Sequence, residues 1–373
     1  MQSNESVSVS ATLSRLIHRA IERADGWLPF DRFMAMALYA PGLGYYANDS
    51  RKFGLMPSSG SDFVTAPELS PLFGRSLARQ VAQALKACDS GEVWEFGAGS
   101  GALAEQLLDE LGTQVSRYTI VDLSGSLRLR QRERLARFGD AVQWVDALPD
   151  SLSGVIVGNE VLDAMPVQLL HFDGRQWLER GVVSQGDGQG EGFAWSDRPT
   201  EAHPPHEGPF APGTVTEIHP QAEAFIATLA DRLQRGAAFF IDYGFPEAEY
   251  YHPQRTGGTL MCHQAHLADA DPLVDVGLKD ITAHVNFTGV ALAVQNAGLE
   301  VLGYTSQARF LLNCGVMELL QNADVRTIAP AQKLIAEHEM GELFKVIGFA
   351  RGCDAAFTTD PLGFAQGDRT HRL

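Results

Sequence analysis

The chain has 373 residues, of which 45% are hydrophobic and 20% are charged. This composition is typical of a globular protein with one large α/β core or two modest domains, and it excludes a disordered or fibrous chain. The formal net charge of −17 at pH 7 argues against nucleic-acid binding, because nucleic-acid affinity depends on clustered lysine and arginine. An acidic surface suits a basic partner instead.

The cysteines are scattered along the chain and form no Cys-x-x-Cys pair, which favours reduced thiols over a disulfide framework. They are Cys88, Cys262, Cys314 and Cys353. The first 14 residues are polar and lack the apolar core of a secretion signal, and no run of about 18 apolar residues occurs. We therefore expect a cytoplasmic protein that is not inserted in a membrane.

Residues 1–88 are predicted to form a helical cap with a lid loop. Apolar residues recur at helical spacing through 11–40, and Pro29 interrupts the pattern where a second helix begins. A loop rich in glycine, serine and aromatic residues then extends as far as Phe63. A further helix is predicted over about 71–87.

In residues 89–373, short apolar strand candidates alternate with helical segments, which predicts a mostly parallel, twisted sheet flanked by helices. The candidates are Val93–Phe96, Tyr118–Val121, Val142–Val145, Val155–Val157, Ala238–Ile241 and Phe344–Phe349, the last of which is expected to close the sheet. Two insertions interrupt this pattern. A hairpin and surface loop are predicted at about 171–215, and an active-site cap is predicted at 244–287, after the strand that ends at Asp242.

The sharpest local signal is the strand 93–96, followed by a glycine turn and a helix-forming run. Glycines are needed where the backbone passes close under a ligand. The spacing Gly-x-Gly-x-Gly, at Gly97, Gly99 and Gly101, resembles motif I of the class I methyltransferases. It differs from the Gly-x-Gly-x-x-Gly of a dehydrogenase, which is the rival enzyme. We expect this loop to bind S-adenosylmethionine and Glu95 to meet its amino group, the alternative being a glycine turn without a ligand.

Two aspartates follow the next strands of the predicted sheet. Asp122 ends its strand about twenty residues after the glycines, where an acid accepts hydrogen bonds from ribose hydroxyls in either class of cofactor. Asp146 lies where class I enzymes often contact the adenine amino group. An aspartate of a solvated loop is an equally good interpretation of Asp146.

Polar residues also follow the strand candidate 155–157. Asn159 and Glu160 are expected at its carboxyl end, where class I enzymes bind the methyl acceptor. If residues 160–164 form one helical turn, Glu160 and Asp163 project from the same side and can bind a guanidinium together. Such a pair has a chemical purpose, because arginine is a poor nucleophile that must be oriented. Helix capping or ion pairing is the structural alternative, and Asn159 can bond either the acceptor or the loop.

Further segments resemble the MidA family of S-adenosylmethionine-dependent methyltransferases, and the match spans most of the chain. The segments are Gly44-Tyr45-Tyr46, residues 61–74, the glycine loop, residues 159–166, residues 240–244, Tyr250-Tyr251, Gly258-Thr259-Leu260 and residues 280–287. Ser61 and Asn286 depart from the family pattern, where glycine and aspartate are expected. The departure at Asn286 weakens any assignment of a catalytic carboxylate to that position.

The resemblance implies a Rossmann-like class I methyltransferase fold with a seven-stranded sheet, S-adenosylmethionine as methyl donor, and an arginine of a partner protein as acceptor. The mitochondrial members assist respiratory complex I assembly, so a subunit of that complex is the expected partner. Phe63, Thr65 and Glu68 are predicted to form a lid that excludes water from the cofactor. The alternative is that these residues form a purely structural loop. His284 is predicted to be catalytic, and the alternative is a structural histidine.

Three other interpretations remain at this point. Cys262-His263-x-x-His266, with His252 nearby, suggests zinc but lacks the spacing of a closed four-ligand site, so no metal is expected. A methyltransferase for a small molecule or a carboxylate is the main alternative enzyme. A non-catalytic assembly factor that keeps the fold is the alternative from another class, and the set Glu95, Asp122, Glu160 and Asp163 argues against it.

Overall fold

The computed structural model of the protein describes residues 4–48, 65–122, 124–186, 192–264, 267–321 and 323–373. The helices are α1 (Asn4–Arg23), α2 (Phe30–Tyr39), α3 (Ala66–Leu69), α4 (Leu72–Ala87), α5 (Ala102–Leu111), α6 (Gly125–Arg134), α7 (Pro220–Arg232), α8 (Glu247–Tyr250), α9 (Phe287–Asn296), α10 (Gln307–Asn313), α11 (Val316–Gln321), α12 (Val325–Ile335) and α13 (Ala355–Thr359). The strands are β1 (Leu28–Pro29), β2 (Glu92–Phe96), β3 (Arg117–Val121), β4 (Val142–Val145), β5 (Leu152–Asn159), β6 (Gln168–Phe172), β7 (Trp177–Ser184), β8 (Phe193–Pro199), β9 (Val215–Ile218), β10 (Leu233–Phe245), β11 (Met261–Gln264), β12 (Leu267–Asp269), β13 (Asp280–Thr282), β14 (Val285–Asn286), β15 (Glu300–Ser306) and β16 (Phe344–Arg351).

The main sheet has the strand order β4-β3-β2-β5-β10-β16-β15, and β14 pairs with the end of β10. Strands β4, β3, β2, β5 and β10 are parallel to one another, and β16 runs antiparallel to both of its neighbours. The sheet is thus mixed, and the predicted mostly parallel architecture is confirmed. The expectation that 344–349 closes the sheet is wrong, because β16 lies between β10 and β15, and β15 forms the edge.

Helices cover both faces of this sheet, and β5 shows why its sequence is apolar at consecutive positions. Val155 and Val157 pack with α4 and α5 on one face, whereas Ile156 packs with α7 and α9 on the other. A strand buried on both faces reads as a continuous apolar run rather than as an alternating one. The run 155–157 therefore identifies a central strand.

The first insertion is larger than predicted. Strands β1, β7, β6 and β9 form an antiparallel sheet in that order, and β8 pairs with β7. The hairpin signalled at 172–174 joins β6 to β7, and the Asp173 carboxylate accepts hydrogen bonds from the N–H groups of Arg175 and Gln176. The insertion begins at Gln168 and ends at Ile218, and residues 193–199 of the predicted surface loop are strand instead.

The second insertion contains the antiparallel sheet β12-β11-β13. It packs with α1, α2 and the first insertion in one hydrophobic core, which includes Ile17, Phe33, Val182 and Ile281. Helix α4 packs on the main sheet instead. Two lobes result, and the main cavity lies where they meet. In the described part of the chain, no helix is both long and apolar enough to cross a bilayer.

Candidate active site

The main cavity lies at the carboxyl ends of β2, β3, β4, β5 and β10, where ligands bind in open α/β sheets. Its volume is about 1210 Å³, which exceeds the range of about 300–1000 Å³ usual for one small ligand. Acidic side chains line it: Glu95, Asp122, Asp146, Glu160, Asp163 and Asp280. No lysine or arginine lines it within the described ranges. The cavity therefore suits two reactants, and cationic ones above all.

The glycine loop joins β2 to α5 beneath this cavity. Gly97, Gly99 and Gly101 have φ of +62°, +53° and +83°, a left-handed backbone that side chains disfavour. A Cβ on Gly97 would stand 3.0 Å from Val161 Cγ2, in the segment that carries the predicted acceptor residues. The spacing Gly-x-Gly-x-Gly is thus explained by backbone conformation and by the close approach of Val161.

Asp122 lies at the end of β3 and is held by a residue that the sequence analysis missed. Its carboxylate accepts hydrogen bonds from the Ser124 N–H (2.8 Å) and from Gln131 Nε2 (2.7 Å). Gln131 is fully buried on α6, and its Nε2 also donates to the Gly99 carbonyl (2.9 Å). Trp144 Nε1 donates to Gln131 Oε1 (2.9 Å). One glutamine thus connects the glycine loop, the predicted ribose-binding acid and β4.

Glu95 is buried in the wall of the cavity beneath the glycine loop. The Tyr118 hydroxyl donates to its Oε2 (2.8 Å). Burial raises the pKa of Glu95 to about 8, and the charge of Asp122 adds to the rise, whereas the hydrogen bond from Tyr118 opposes it. A cationic amino group would favour its ionised form. The predicted role of Glu95 is compatible with this position and stays a prediction.

Asp146 lines the cavity with a side chain that is 82% exposed. It forms an ion pair with Arg128 (3.2 Å), whose Nη2 also donates to the Val145 carbonyl (2.8 Å). This geometry fits the interpretation of Asp146 as a solvated aspartate better than a contact with adenine. The assignment to adenine stays a prediction.

The predicted lid residues lie in different surroundings. Phe63 is outside the described residues. Thr65 lines the cavity, and it precedes α3 as its N-cap residue. Glu68 does not line the cavity: its carboxylate accepts hydrogen bonds from the Ser100 hydroxyl and from Arg134 Nη1 (3.1 Å). Glu68 therefore contacts the glycine loop, and it can influence the cofactor only through that loop.

Asn159 ends β5 and Glu160 follows it, at the carboxyl end of the strand as predicted, but the helical turn expected over 160–164 is absent. Glu160 has φ of +53°, which a helix does not allow, and its N–H donates to the Ile241 carbonyl (2.9 Å). Asn159 Nδ2 donates to Glu160 Oε1 (2.9 Å), and Asn159 Oδ1 is buried with no hydrogen-bond partner among the described residues. Burial, followed by the charge of Asp163, raises the pKa of Glu160 to about 8.

Asp163 lines the same cavity as Glu160, so the two carboxylates do come together. The Tyr243 hydroxyl donates to its Oδ2 (2.5 Å), and its buried Oδ1 has no hydrogen-bond partner within the described chain. Burial raises the pKa of Asp163 to about 6, although the hydrogen bond from Tyr243 lowers it. An unsatisfied buried carboxylate oxygen is costly, and it is available to an entering donor.

Asp242, at the end of β10, holds this segment in place. Its Oδ2 accepts hydrogen bonds from three successive N–H groups, those of Val161 (3.1 Å), Leu162 (2.9 Å) and Asp163 (3.2 Å). Burial and the charges of Asp163 and Glu160 raise its pKa. No local pattern in the sequence links Asp242 to residues 161–163, so its role could not be predicted from the sequence.

A second wall of the acceptor end comes from parts outside the main sheet. The Tyr46 hydroxyl donates to Asp280 Oδ2 (2.8 Å), and the Tyr39 ring stacks on the Tyr46 ring at 5.6 Å. The Tyr39 hydroxyl donates to the Ala164 carbonyl (2.8 Å). In the sequence, Tyr46 and Asp280 belong to segments that resemble the family, and this was the only indication that they belong to the site.

His284 lines the cavity between two aromatic rings. Its ring stacks on Phe245 (5.2 Å between centroids) and meets Tyr243 edge-on (5.1 Å). Burial, followed by the charges of Arg255 and Lys345, lowers its pKa to about 4, so the imidazole is neutral at pH 7. Its Nδ1 is buried without a hydrogen-bond partner in the described ranges. A catalytic role for His284 stays a prediction.

The two remaining sequence hypotheses concern Asn286 and zinc. The Asn286 side chain caps α9 by accepting a hydrogen bond from the Gly289 N–H (3.3 Å), which explains why an amide is suitable there. Cys262 is buried in the hydrophobic core that the second insertion shares with α1 and α2, whereas His263 lines the cavity. The two side chains differ because neighbouring residues of β11 point to opposite faces. His266 lies outside the described residues.

Known proteins show the same architecture. Residues 76–305 match the model of a family described as "Putative S-adenosyl-L-methionine-dependent methyltransferase". A protein arginine methyltransferase NDUFAF7 from Danio rerio is 27% identical over 366 residues, covering 86% of this chain and 83% of its own. Its mitochondrial homologue from Caenorhabditis elegans is 26% identical over 337 residues, covering 80% and 75%.

A solved structure gives a more similar relative. A COG1565 superfamily member from Burkholderia thailandensis, bound to S-adenosyl-homocysteine, superimposes with a TM-score of 0.93. It is 49% identical, over 100% of this chain and 99% of its own. The left-handed glycine loop, the acid after β3 and the absence of lining cations in the described chain fit the methyl donor. The chain belongs to the MidA-like family of S-adenosylmethionine-dependent methyltransferases.

Proposed function

We propose that this protein methylates an arginine guanidinium in a partner protein. The observation that carries the proposal is the acceptor end of the cavity. There the carboxylates of Glu160, Asp163 and Asp280 line a space that no described lysine or arginine shares. Ionising buried carboxylates such as those of Glu160 and Asp163 is costly, and an entering cation lowers that cost.

The chemistry explains why paired carboxylates serve this acceptor. The methyl donor supplies an electrophilic methyl group on a sulfonium. Arginine has a pKa above about 12, so its side chain must be oriented rather than deprotonated beforehand. Glu160 and Asp163 can bind the guanidinium fork and draw positive charge away from the reacting nitrogen. The Tyr46 ring, which also lines the cavity, supplies a flat surface on which a guanidinium can lie.

The main alternative acceptors fit this cavity less well. A carboxylate acceptor would enter beside Asp163 and be repelled by its charge, and no described lysine or arginine of the cavity would offset that repulsion. A small cationic molecule satisfies the same charges, and it remains the second candidate because the cavity volume admits it. The names of the relatives as protein arginine methyltransferases support the protein acceptor.

We further propose, on the family resemblance alone, that the acceptor is a respiratory complex I subunit. Co-expression with the subunits of that complex, followed by mass spectrometry of their arginines, tests this proposal. We propose a cytoplasmic site of action from the scattered cysteines, which are free in the described chain. Because the relatives named above are called mitochondrial, fractionation of the host cell is the relevant check.

The function is tested by labelled methyl transfer to arginine-containing peptides, with hydrolysis and mass spectrometry to identify the product. We expect methylarginine, and we expect Glu160→Gln and Asp163→Asn to lower kcat/KM by about 100-fold or more. Binding of S-adenosylhomocysteine should stay within about threefold of wild type, because neither change touches the glycine loop. Asp109→Asn, an exposed change on α5, is the control.

Two results would contradict the proposal. Label in a base-labile methyl ester would indicate a carboxylate acceptor. Binding of S-adenosylhomocysteine without transfer to any peptide or protein of a host lysate would favour the assembly factor that keeps the fold.

A further inference from the structure

Three large apolar side chains line the cavity and are also exposed to solvent. They are Tyr39 (37% exposed), Met261 (37%) and Leu343 (45%). Because each lines the cavity and is also more than a third exposed, we interpret these three residues as its mouth and refer to them as the rim. Single exposed apolar residues need no explanation, but a group around one opening indicates a binding surface.

The rim is assembled from three separate parts of the chain. Tyr39 ends α2, Met261 begins β11, and Leu343 precedes β16. The hydrogen bond from the Tyr39 hydroxyl to the Ala164 carbonyl fixes the tyrosine next to the acceptor residues. In β11, the buried Cys262 side chain points away from the cavity, so its neighbours Met261 and His263 point towards it.

The charge of the interior limits what can occupy the rim. Beneath the rim lie the carboxylates of Glu160, Asp163 and Asp280, and no described arginine or lysine lines the cavity. A second copy of this chain, with its net charge of −17, would bring like charge to an acidic opening. A small cation would pair with the carboxylates of the interior but leave the apolar rim in contact with water. A cationic side chain with apolar neighbours would pair with the carboxylates and also cover the rim.

We propose that Tyr39, Met261 and Leu343 bind apolar side chains that flank the target arginine in a segment of the partner protein. The proposal rests on the proposed function and adds the class of sequence that the enzyme selects. Met261 suits several partners, because its unbranched thioether side chain adapts to different shapes. The arginine enters the acidic interior, and its neighbours remain on the rim.

The test uses two synthetic peptides of equal length, one with leucine and one with serine on both sides of a central arginine. Methyl transfer to each is measured with wild type, Met261→Ser and Leu343→Ser. We expect wild type to have the lower KM for the leucine peptide. Each variant should raise that KM by about tenfold, which is what burying a large part of an apolar side chain contributes. The KM for the serine peptide should rise less than that for the leucine peptide, so the preference for the leucine peptide should decrease in each variant.

The matched control is Leu292→Ser, on α9. Leu292 is 48% exposed, like Leu343, but it does not line the cavity, so its replacement should leave both KM values unchanged. Tyr39 is not replaced, because its hydroxyl contacts the acceptor segment. Binding of S-adenosylhomocysteine, measured for each variant, verifies that the fold is intact.

The outcomes separate the two proposals. Equal KM values for the two peptides, or a rise in KM that Leu292→Ser reproduces, would overturn the role of the rim while arginine methylation stands. Absence of transfer to either peptide by wild type that binds S-adenosylhomocysteine would count against the proposed function, and with it against the rim.

Discussion

Asp242 shows how much of the acceptor site depends on one residue that lies outside it. Its Oδ2 accepts three N–H groups from residues that are 79 to 81 positions earlier in the chain. These bonds form the turn that carries Asp163, and Glu160 has its left-handed backbone immediately before them. Because Asp242 does not line the cavity, we interpret it as a positioning residue.

We predict that Asp242→Asn lowers kcat/KM by about 10- to 100-fold, because a displacement of the acceptor carboxylates by even about 1 Å misaligns the reacting nitrogen. The affinity for S-adenosylhomocysteine should change by less than about threefold, since Asp242 does not touch the glycine loop. Steady-state kinetics and calorimetric titration measure the two quantities. Equal losses of transfer and of cofactor affinity would indicate general misfolding instead of misplacement.

At this scale, sequence reasoning placed two carboxylates together on the basis of a local structure that is not present. Glu160 and Asp163 were placed together through a helical turn, whereas the φ of Glu160 excludes that turn. Tertiary bonds from Asp242 bring the two carboxylates to one cavity. Gln131 escaped notice because it stands in a run of arginines that looks like a solvent-exposed helix face, although it is fully buried.

Among the elements, the short helix α3 is connected to the glycine loop by charge. Glu68 of α3 accepts hydrogen bonds from Ser100 in the loop and from Arg134 on α6. Arg134 Nη1 also donates to the Ser100 hydroxyl (2.8 Å), and its Nε donates to Glu105 (2.8 Å). Hydrogen bonds and charges from Glu105 and Glu68 outweigh burial and raise the pKa of Arg134. The three elements thus constrain one cofactor-binding turn.

Removing this constraint should weaken cofactor binding from outside the cavity. We predict that Arg134→Leu raises the Kd for S-adenosylhomocysteine by about 5- to 20-fold, because Ser100 of the loop loses a hydrogen bond from a charged group and its partner Glu68 loses another. Arg137→Leu is the matched control, since Arg137 also pairs with Glu105 but contacts neither Glu68 nor Ser100 among the bonds described. Calorimetric titration compares the Kd values of the two variants, and equal increases would contradict the proposed link between Arg134 and the glycine loop.

Elements were predictable from sequence where burial on both faces gives a continuous apolar run. The strand candidates at 93–96, 118–121, 142–145, 155–157 and 238–241 all lie within strands β2, β3, β4, β5 and β10. Strand β15 escaped because Gly303, whose missing side chain makes room for Phe364, interrupts its pattern. Strands β8 and β9 contain consecutive polar residues, 196–198 in β8 and 216–217 in β9, and this pattern reads as loop in a segment rich in glycine and proline.

At the scale of the whole molecule, the acidic cavity couples function to stability. Burial raises the pKa of Glu95 and Glu160 to about 8 and that of Asp163 to about 6. A carboxyl whose pKa is higher in the folded than in the unfolded protein stabilises the fold when protonated. Its contribution is complete below the unfolded pKa and is lost as the pH rises through the folded pKa. The acids that attract the substrate thus oppose folding at neutral pH.

We predict that Glu160→Gln removes part of this cost. At pH 5, close to the unfolded pKa of glutamate, the Tm values of the two proteins should differ least. Between pH 5 and 8 the glutamate is ionised in the unfolded chain but protonated or unpaired in the folded one, so the variant should become more stable than wild type by several degrees. Above pH 8 the difference should level off.

Thermal melts of both proteins at half-unit intervals from pH 5 to 9 measure this difference. Groups that do not interact with Glu160 cancel in the comparison, whereas the loss of its charge beside Asp242 adds to the stability of the variant. Parallel curves, or a variant that is less stable at pH 8, would show that Glu160 is not held at a raised pKa in the empty cavity. A repeat with a bound arginine peptide separates the causes: a guanidinium beside Glu160 favours its ionised form, so the peptide should stabilise wild type more than the variant at pH 8. In that case Glu160 destabilises the protein when the cavity is empty and stabilises it when the arginine peptide is bound.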